Sequence, residues 1–200
     1  IARNPFAQYK VGPGHKEKGF LTEEELQSFT TVELNNSDLE LARDLFVFGC
    51  WIVISFIDIK NLTTENITML GGSPWIVSKR QKTGVQFQIK LMDIPMQIIK
   101  RYKPYRMGNN LFNIGSHDVI NRRIKEVAKI CGIEKRTSFH LSRHTFAVLA
   151  LNYGVPIESV SKILGHTNIT TTQIYAKVTN TKLELDISMF ESRVSEKNAI

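Results

Sequence analysis

The segment HLSRH places His140, Arg143 and His144 within about one turn of helix, and two further short stretches follow, LGH ending at His166 and TTTQIY ending at Tyr175. At i, i+3 and i+4, Arg143 and His144 each share a helix face with His140. An arginine and a histidine on one face suit a phosphate: the guanidinium fork binds two oxygens and the imidazole adds a hydrogen bond or a proton. His166 follows KILG at a helix end, from which an imidazole N–H can project into a cleft. A tyrosine hydroxyl is a weak nucleophile at its free pKa near 10. A phosphoryl transition state also needs several cationic donors around it. His140, Arg143, His166 and a lysine gathered about a phosphodiester would let Tyr175 attack it and form a covalent phosphotyrosine. Such a link keeps the energy of the broken bond, so the strand can be rejoined without ATP.

Each residue also has a commoner role. A lone tyrosine at a helix start is usually core or surface, and a lone histidine such as His166 is usually a satisfied helix-end residue. His140 and His144 could share a zinc ion, but HLSRH lacks the glutamate of the zinc-protease motif. No carboxylate or cysteine lies nearby in sequence to complete a tetrahedron, so no metal and no cofactor is expected. Lys82, in a KTG turn, would ordinarily face solvent. The combination and its order favour the chemical reading.

The elements that must position these residues are mostly helices. Thr22 and Glu25 form a capping-box signature before a first helix with Leu26, Phe29 and Leu34 on its apolar side. A second helix begins after Ser37 and is apolar nearly all round, which predicts a central position. Its run LFVFGCWIVISFI is shorter than the ~20 residues of a membrane span and leads into Asp58 and Lys60, so it reads as one core helix. Between about 65 and 91, NITML, WIVSKRQ and VQFQIKL read as a three-stranded antiparallel sheet with turns at Gly71-Gly72 and Thr83-Gly84. Arg80 and Lys82, two apart, would share a strand face. Helices return in PMQIIKRY, HDVINRRIKEVAKICG, FHLSRHTFAVLALNYG, PIESVSKILG and TTTQIYAKV. The tail carries Leu183, Ile187, Phe190 and Val194 at helical spacing. The fold class is therefore α+β, mainly α-helical.

The 200 residues, 42% of them hydrophobic, can build a substantial core. The net charge of +7 and pI of about 9.4 favour a polyanionic partner such as nucleic acid. Cys50 and Cys131 lie in apolar stretches, which fits two buried thiols in a reducing compartment. No secretory leader opens the chain, and residues 1–19 read as a linker, so the chain is expected to be a piece of a longer protein.

The stretch HLSRHTFAVLALNYGVPIESVSKILGHTNITTTQIYAKV closely resembles the catalytic core of the tyrosine recombinases, or phage-integrase family. The family pattern is His-x-x-Arg-His, then Leu-Gly-His, then Tyr about nine residues on; all three parts are present in order. The match is specific over 138 to 178 and extends more loosely over about 20 to 190. Its style is similar to integrases carried by conjugative transposons and prophages of gut anaerobes. The resemblance implies that Tyr175 is the nucleophile, that Arg143 holds the non-bridging oxygens, and that His140 and His166 donate hydrogen bonds and assist proton transfer. It implies that Lys82 protonates the leaving 5′ oxygen, and it leaves His144 as a packing residue beneath the site. Residues 20–200 would be the catalytic domain of a recombinase acting through a 3′-phosphotyrosine and a Holliday junction, with DNA-binding domains elsewhere in the full protein.

One part of the pattern is missing. The family carries a first arginine in a segment like TGLRxSD, and here that segment reads IVISFID. Anchored on Asp58, the arginine slot holds Ser55, and the usual Thr-Gly is Ile52-Val53. Serine supplies neither charge nor fork. Two substitutes are open. Arg43 lies in the element that should carry the arginine but needs the chain to bend, at Gly49 for example; Arg80 shares the hairpin with Lys82. The expectation favours Arg43. Arg80, Arg122 and Arg123 are further candidates for phosphate contacts.

The implied partners are double-stranded DNA recombination sites, a homo-tetramer joined through the C-terminal helix, and accessory DNA-bending proteins, with no membrane. The implied location is the bacterial cytoplasm, at the nucleoid when DNA-bound. Two other readings share the fold: a non-catalytic DNA-binding regulator, favoured by Ser55, and a topoisomerase of type IB character.

Overall fold

A computed structural model describes residues 19–176 and 180–198. Most of the expected linker, residues 1–18, and residues 177–179 lie outside that description. The chain runs α1 (Glu23–Thr31), α2 (Ser37–Ile52), α3 (Phe56–Lys60), a 3-10 turn, β1 (Ile67–Leu70), β2 (Ser73–Lys79), β3 (Gln86–Lys90) and α4 (Asp93–Arg101). After a second 3-10 turn come α5 (His117–Ile130), α6 (Phe139–Asn152), α7 (Ile157–Leu164), α8 (Thr170–Ala176) and α9 (Asn180–Asn198). The strands form one antiparallel sheet in the order β1-β2-β3, pairing Ile67 with Ile76 and Ile76 with Ile89. The mainly helical α+β reading with a small sheet is the observed architecture.

Helix α1 starts at the capping box read from sequence: Glu25 N–H donates to Thr22 Oγ1 (3.2 Å) and Thr22 N–H to Glu25 Oε2 (2.7 Å). The N–H of Leu21 donates to the buried Thr145 hydroxyl (3.0 Å), tying the start of α1 to α6. Helix α2 is central, packed by α1, α4, α5 and α6. Leu45, Phe46 and Phe48 have no exposed surface, and the Phe46 and Phe48 rings meet those of Phe29 and Phe112 at 4.8 and 5.1 Å. Where α2 crosses α6, a Cβ on Gly49 would lie 2.7 Å from Ser142 Oγ and 2.9 Å from Phe139 Cζ, so only glycine allows this approach.

The long apolar run is not one helix. Helix α2 stops at Ile52, and Val53 turns the chain with φ 58°, ψ 30°. Ser55 then caps the separate helix α3, with Asp58 completing a capping box. Apolar periodicity cannot reveal such a break, because burial continues through it: Ile52, Val53 and Ile54 are all buried. A left-handed valine is costly by about 1–2 kcal/mol. Val53 is retained by its fully buried side chain, which packs with Ala147, Val148, Leu151, Val160, Leu164 and Tyr175 in a second, smaller core. This core joins α6, α7 and α8 and includes Tyr175. Among the described residues no helix is long and apolar enough to cross a membrane. Both cysteines are free thiols; Cys50 is buried, and Cys131 is half-buried rather than fully enclosed.

Candidate active site

A cleft of about 1510 Å³ lies between the β2–β3 hairpin and helices α6, α7 and α8. His140, Arg143, His144, His166, Tyr175 and Lys82 all line it, and so does Arg80. Helix α6 delivers the first three on adjacent turns. Its first turn is fixed by the Asn121 side chain on α5, whose Oδ1 accepts from Phe139 N–H at 2.7 Å. Helix α7 ends in a Schellman turn: Gly165 has φ 68°, Gly165 N–H bonds the Lys162 carbonyl and His166 N–H the Ser161 carbonyl. That turn aims His166 into the cleft. Its Nδ1 meets the hydroxyl of the fully buried Thr172 at 2.8 Å. Thr172 and Tyr175 are i and i+3 on α8, so the bond to His166 also orients the tyrosine helix.

Tyr175 is 4% exposed, and its hydroxyl is hydrogen-bonded to Nδ1 of His144. Burial pushes the phenol above its ordinary pKa, while the nearby Arg143 charge pulls it down. The His144 ring in turn stands edge-on to His140, with centroids 4.6 Å apart. The sequence treats His144 as packing; the structure makes it the partner of the candidate nucleophile.

The two arginines converge. Arg143 donates to the Val53 carbonyl (3.5 Å) and to the Leu164 carbonyl. Arg80 donates to the same Val53 carbonyl (3.4 Å) and to the Ile163 carbonyl (3.5 Å). Desolvation, first, and the neighbouring Arg80 charge lower the Arg143 pKa. Desolvation likewise lowers that of Arg80, and Asp58 partly offsets it. Two half-buried guanidiniums that share one carbonyl, with Asp58 beside Arg80, leave a surplus of positive charge that a phosphate would offset.

Asp58 holds Arg80 there. Its carboxylate accepts from Gln81 N–H (2.8 Å) and from the Ser55 hydroxyl (2.6 Å), and lies 3.6 Å from Arg80 Nη1. The Arg80 guanidinium also covers the Phe87 ring at 4.6 Å. Ser55 lines the same cleft as the helix cap of α3. The slot that lacks an arginine therefore faces one delivered from the hairpin. Strand β2 ends at Lys79, so Arg80 and Lys82 lie in the connecting turn and not on a strand face. The turn is closed by Arg80 N–H to the Val85 carbonyl and Gly84 N–H to the Arg80 carbonyl, both 2.8 Å. Lys82 is exposed at its tip.

Arg43 is not in this site, which corrects the preference drawn from sequence. It is 7% exposed, bonded to Asp44 (2.9 Å) and to the Val32 carbonyl (2.7 Å), and does not line the cleft. The chain bends at Val53, beyond Arg43, while Gly49 stays helical. Arg123 is ion-paired with Asp38 of α2, and Arg122 is exposed on α5; neither lines the cleft. Among the described residues, no group of three or more His, Cys, Asp or Glu side chains is placed to hold a metal ion.

Residues 21–182 match the phage integrase family. The chain belongs to that family. The tyrosine recombinase XerC of Staphylococcus aureus is 29% identical over 217 residues, covering 98% of this chain and 70% of that protein. The tyrosine recombinase XerA of Saccharolobus solfataricus is 34% identical over 98 residues, 48% of this chain and 33% of that protein. The chain thus spans about a third or less of the first curated relatives that it matches. In fold it is similar to the XerH site-specific recombinase in a post-cleavage complex with palindromic difH substrate (TM-score 0.73, 20% identity, 91% of this chain and 56% of that one). It is also similar to the Tn1549 transposon integrase in complex with circular intermediate DNA (TM-score 0.68, 18% identity, 88% and 68%).

Proposed function

We propose that this chain is the catalytic domain of a site-specific DNA recombinase that cuts and rejoins strands through a 3′-phosphotyrosine and a Holliday junction. The observation that carries the reading is the convergence of Arg80 and Arg143 on one carbonyl in the cleft that holds Tyr175. In this reading the two guanidiniums turn their remaining N–H donors to the non-bridging oxygens of the scissile phosphate and neutralise the charge that builds there. Arg80 takes the part of the family's first arginine. His140 and His166 add hydrogen bonds from the two sides of the cleft. Lys82 reaches in from the hairpin tip and protonates the departing 5′ oxygen.

Sequence-specific grip on double-stranded DNA is assigned to domains outside residues 20–200, supported by the match to the Staphylococcus aureus XerC, which covers 98% of this chain but 70% of that protein. The assembly is a tetramer on DNA, joined through α9, whose Leu183, Ile187, Phe190 and Val194 are all exposed. Accessory DNA-bending proteins and a cytoplasmic, nucleoid-associated setting complete the reading. The test is a nicked suicide duplex carrying the cognate site, incubated with the full-length protein. A covalent adduct that disappears in Tyr175→Phe is the expected result. Tight binding with no adduct would point to a regulator instead, and relaxation without exchange between two sites to a topoisomerase.

A further inference from the structure

The structure assigns His144 as the general base that takes the phenolic proton of Tyr175, an inference that rests on the recombinase reading above. A buried phenol cannot attack phosphorus at a useful rate while it keeps its proton, so an acceptor must touch Oη. His144 Nδ1 does so directly. Arg143, whose charge acts on the phenol, is a permanent donor and cannot accept. His166 Nδ1 is committed to the Thr172 hydroxyl. His144 is 6% exposed, and its ring lies 5.4 Å, centroid to centroid, from that of Tyr175, so packing holds the pair together. With its own proton on Nε2, the imidazole presents the Nδ1 lone pair to the hydroxyl.

The step balances. The Oη–H bond breaks and its proton goes to Nδ1, making an imidazolium. The freed electron pair forms the bond from Oη to phosphorus. The bond from phosphorus to the 5′ oxygen breaks, and that oxygen takes a proton from the Lys82 ammonium. Rejoining runs the same transfers backwards, with the imidazolium returning its proton to the phenol. The other titratable and charged groups that line the cleft with the pair are His140 and Arg143 on α6, Asp58 on α3, Arg80, Lys82 and Lys90 on the hairpin, His117 at the start of α5, and Lys162 and His166 on and after α7. Helix α9 packs on α6, but none of its described residues lines the cleft.

The experiment compares full-length wild type, His144→Gln and Lys82→Ala on two suicide duplexes, one normal and one with sulfur replacing the bridging 5′ oxygen. A thiolate leaves without a proton, so Lys82→Ala should recover on the sulfur duplex. His144→Gln should stay slow on both by about 10²-fold or more, and its rate should climb with pH as solvent replaces the base. An unchanged rate and pH profile in His144→Gln, with wild type forming the adduct, overturns this inference alone. No adduct from wild type on DNA that it binds overturns the recombinase reading and this one with it. Nitrogen-15 spectra of the wild-type protein give a check independent of how the variant folds. Nδ1 is expected to be the unprotonated nitrogen of neutral His144; a proton found on Nδ1 overturns the assignment.

Discussion

Two arginine clusters, one around the buried Arg43 and one around the half-buried Arg80 and Arg143, differ in their partners. In the first, Arg43 is bonded to Asp44, which also accepts from Arg101 (2.7 Å) and from the Tyr102 hydroxyl (3.0 Å). The burial of Tyr102, and after it the Asp44 charge, push that phenol's pKa well up. This cluster pairs its arginines with one buried carboxylate and knits α2 to α4. In the second, Arg80 and Arg143 share one carbonyl, and among the described residues the one carboxylate ion-paired with them is Asp58, 3.6 Å from Arg80. Satisfied charge is what a folded core requires; a surplus of positive charge in an open cleft is what a phosphate ligand requires. An arginine's role here follows from its partners and not from its nearness in sequence to an empty motif position.

Substitutions can break or sharpen that contrast. The largest effects belong to the second cluster. Arg143→Ala and Arg80→Ala should each slow adduct formation by about 10²- to 10³-fold, read on the suicide duplex with folding checked by circular dichroism. Normal cleavage by Arg80→Ala would erase the distinction between the clusters. Arg43→Ala should do the reverse, costing about 1–3 kcal/mol in urea denaturation with cleavage per folded molecule unchanged. A slow but fully stable Arg43→Ala protein would return that residue to the site.

Smaller effects test the frame that holds the clusters apart. Gly49→Ala forces α2 away from Ser142 and Phe139 and should cost about 1–3 kcal/mol, seen as a lower urea midpoint. Val53→Gly is the mildest. It relieves about 1–2 kcal/mol of left-handed strain but gives up about 1.5–3 kcal/mol of side-chain burial. The expected net loss is about 1 kcal/mol, and a clear gain in stability would show that the strain outweighs the packing.

Much of the site is legible in the local sequence. The spacing of His140, Arg143 and His144, the Gly165 turn before His166, and the capping box at Thr22 are local signals, and each lies where the sequence put it. The break at Val53 was not legible, because a run buried on both sides of a kink has no period to lose. Nor was the choice of arginine. Arg43 stood nearer the empty position in the chain, but its helix turns it toward Val32 and α4. Arg80, the other open substitute, shares the hairpin with Lys82, but no local signal says that the hairpin brings it beside Arg143.

By itself the sequence determined the chemistry on offer and the elements bearing it, because helix periodicity, capping and turn glycines act over a few residues. Only the tertiary structure decided which groups meet. Asp58, at the start of α3, grips the hairpin backbone at Gln81 and so brings Arg80 beside Arg143. The small core of Val53, α6, α7 and α8 sets Tyr175 against His144. Both meetings depend on contacts between distant segments, which close only when the hydrophobic cores assemble and which no local pattern encodes.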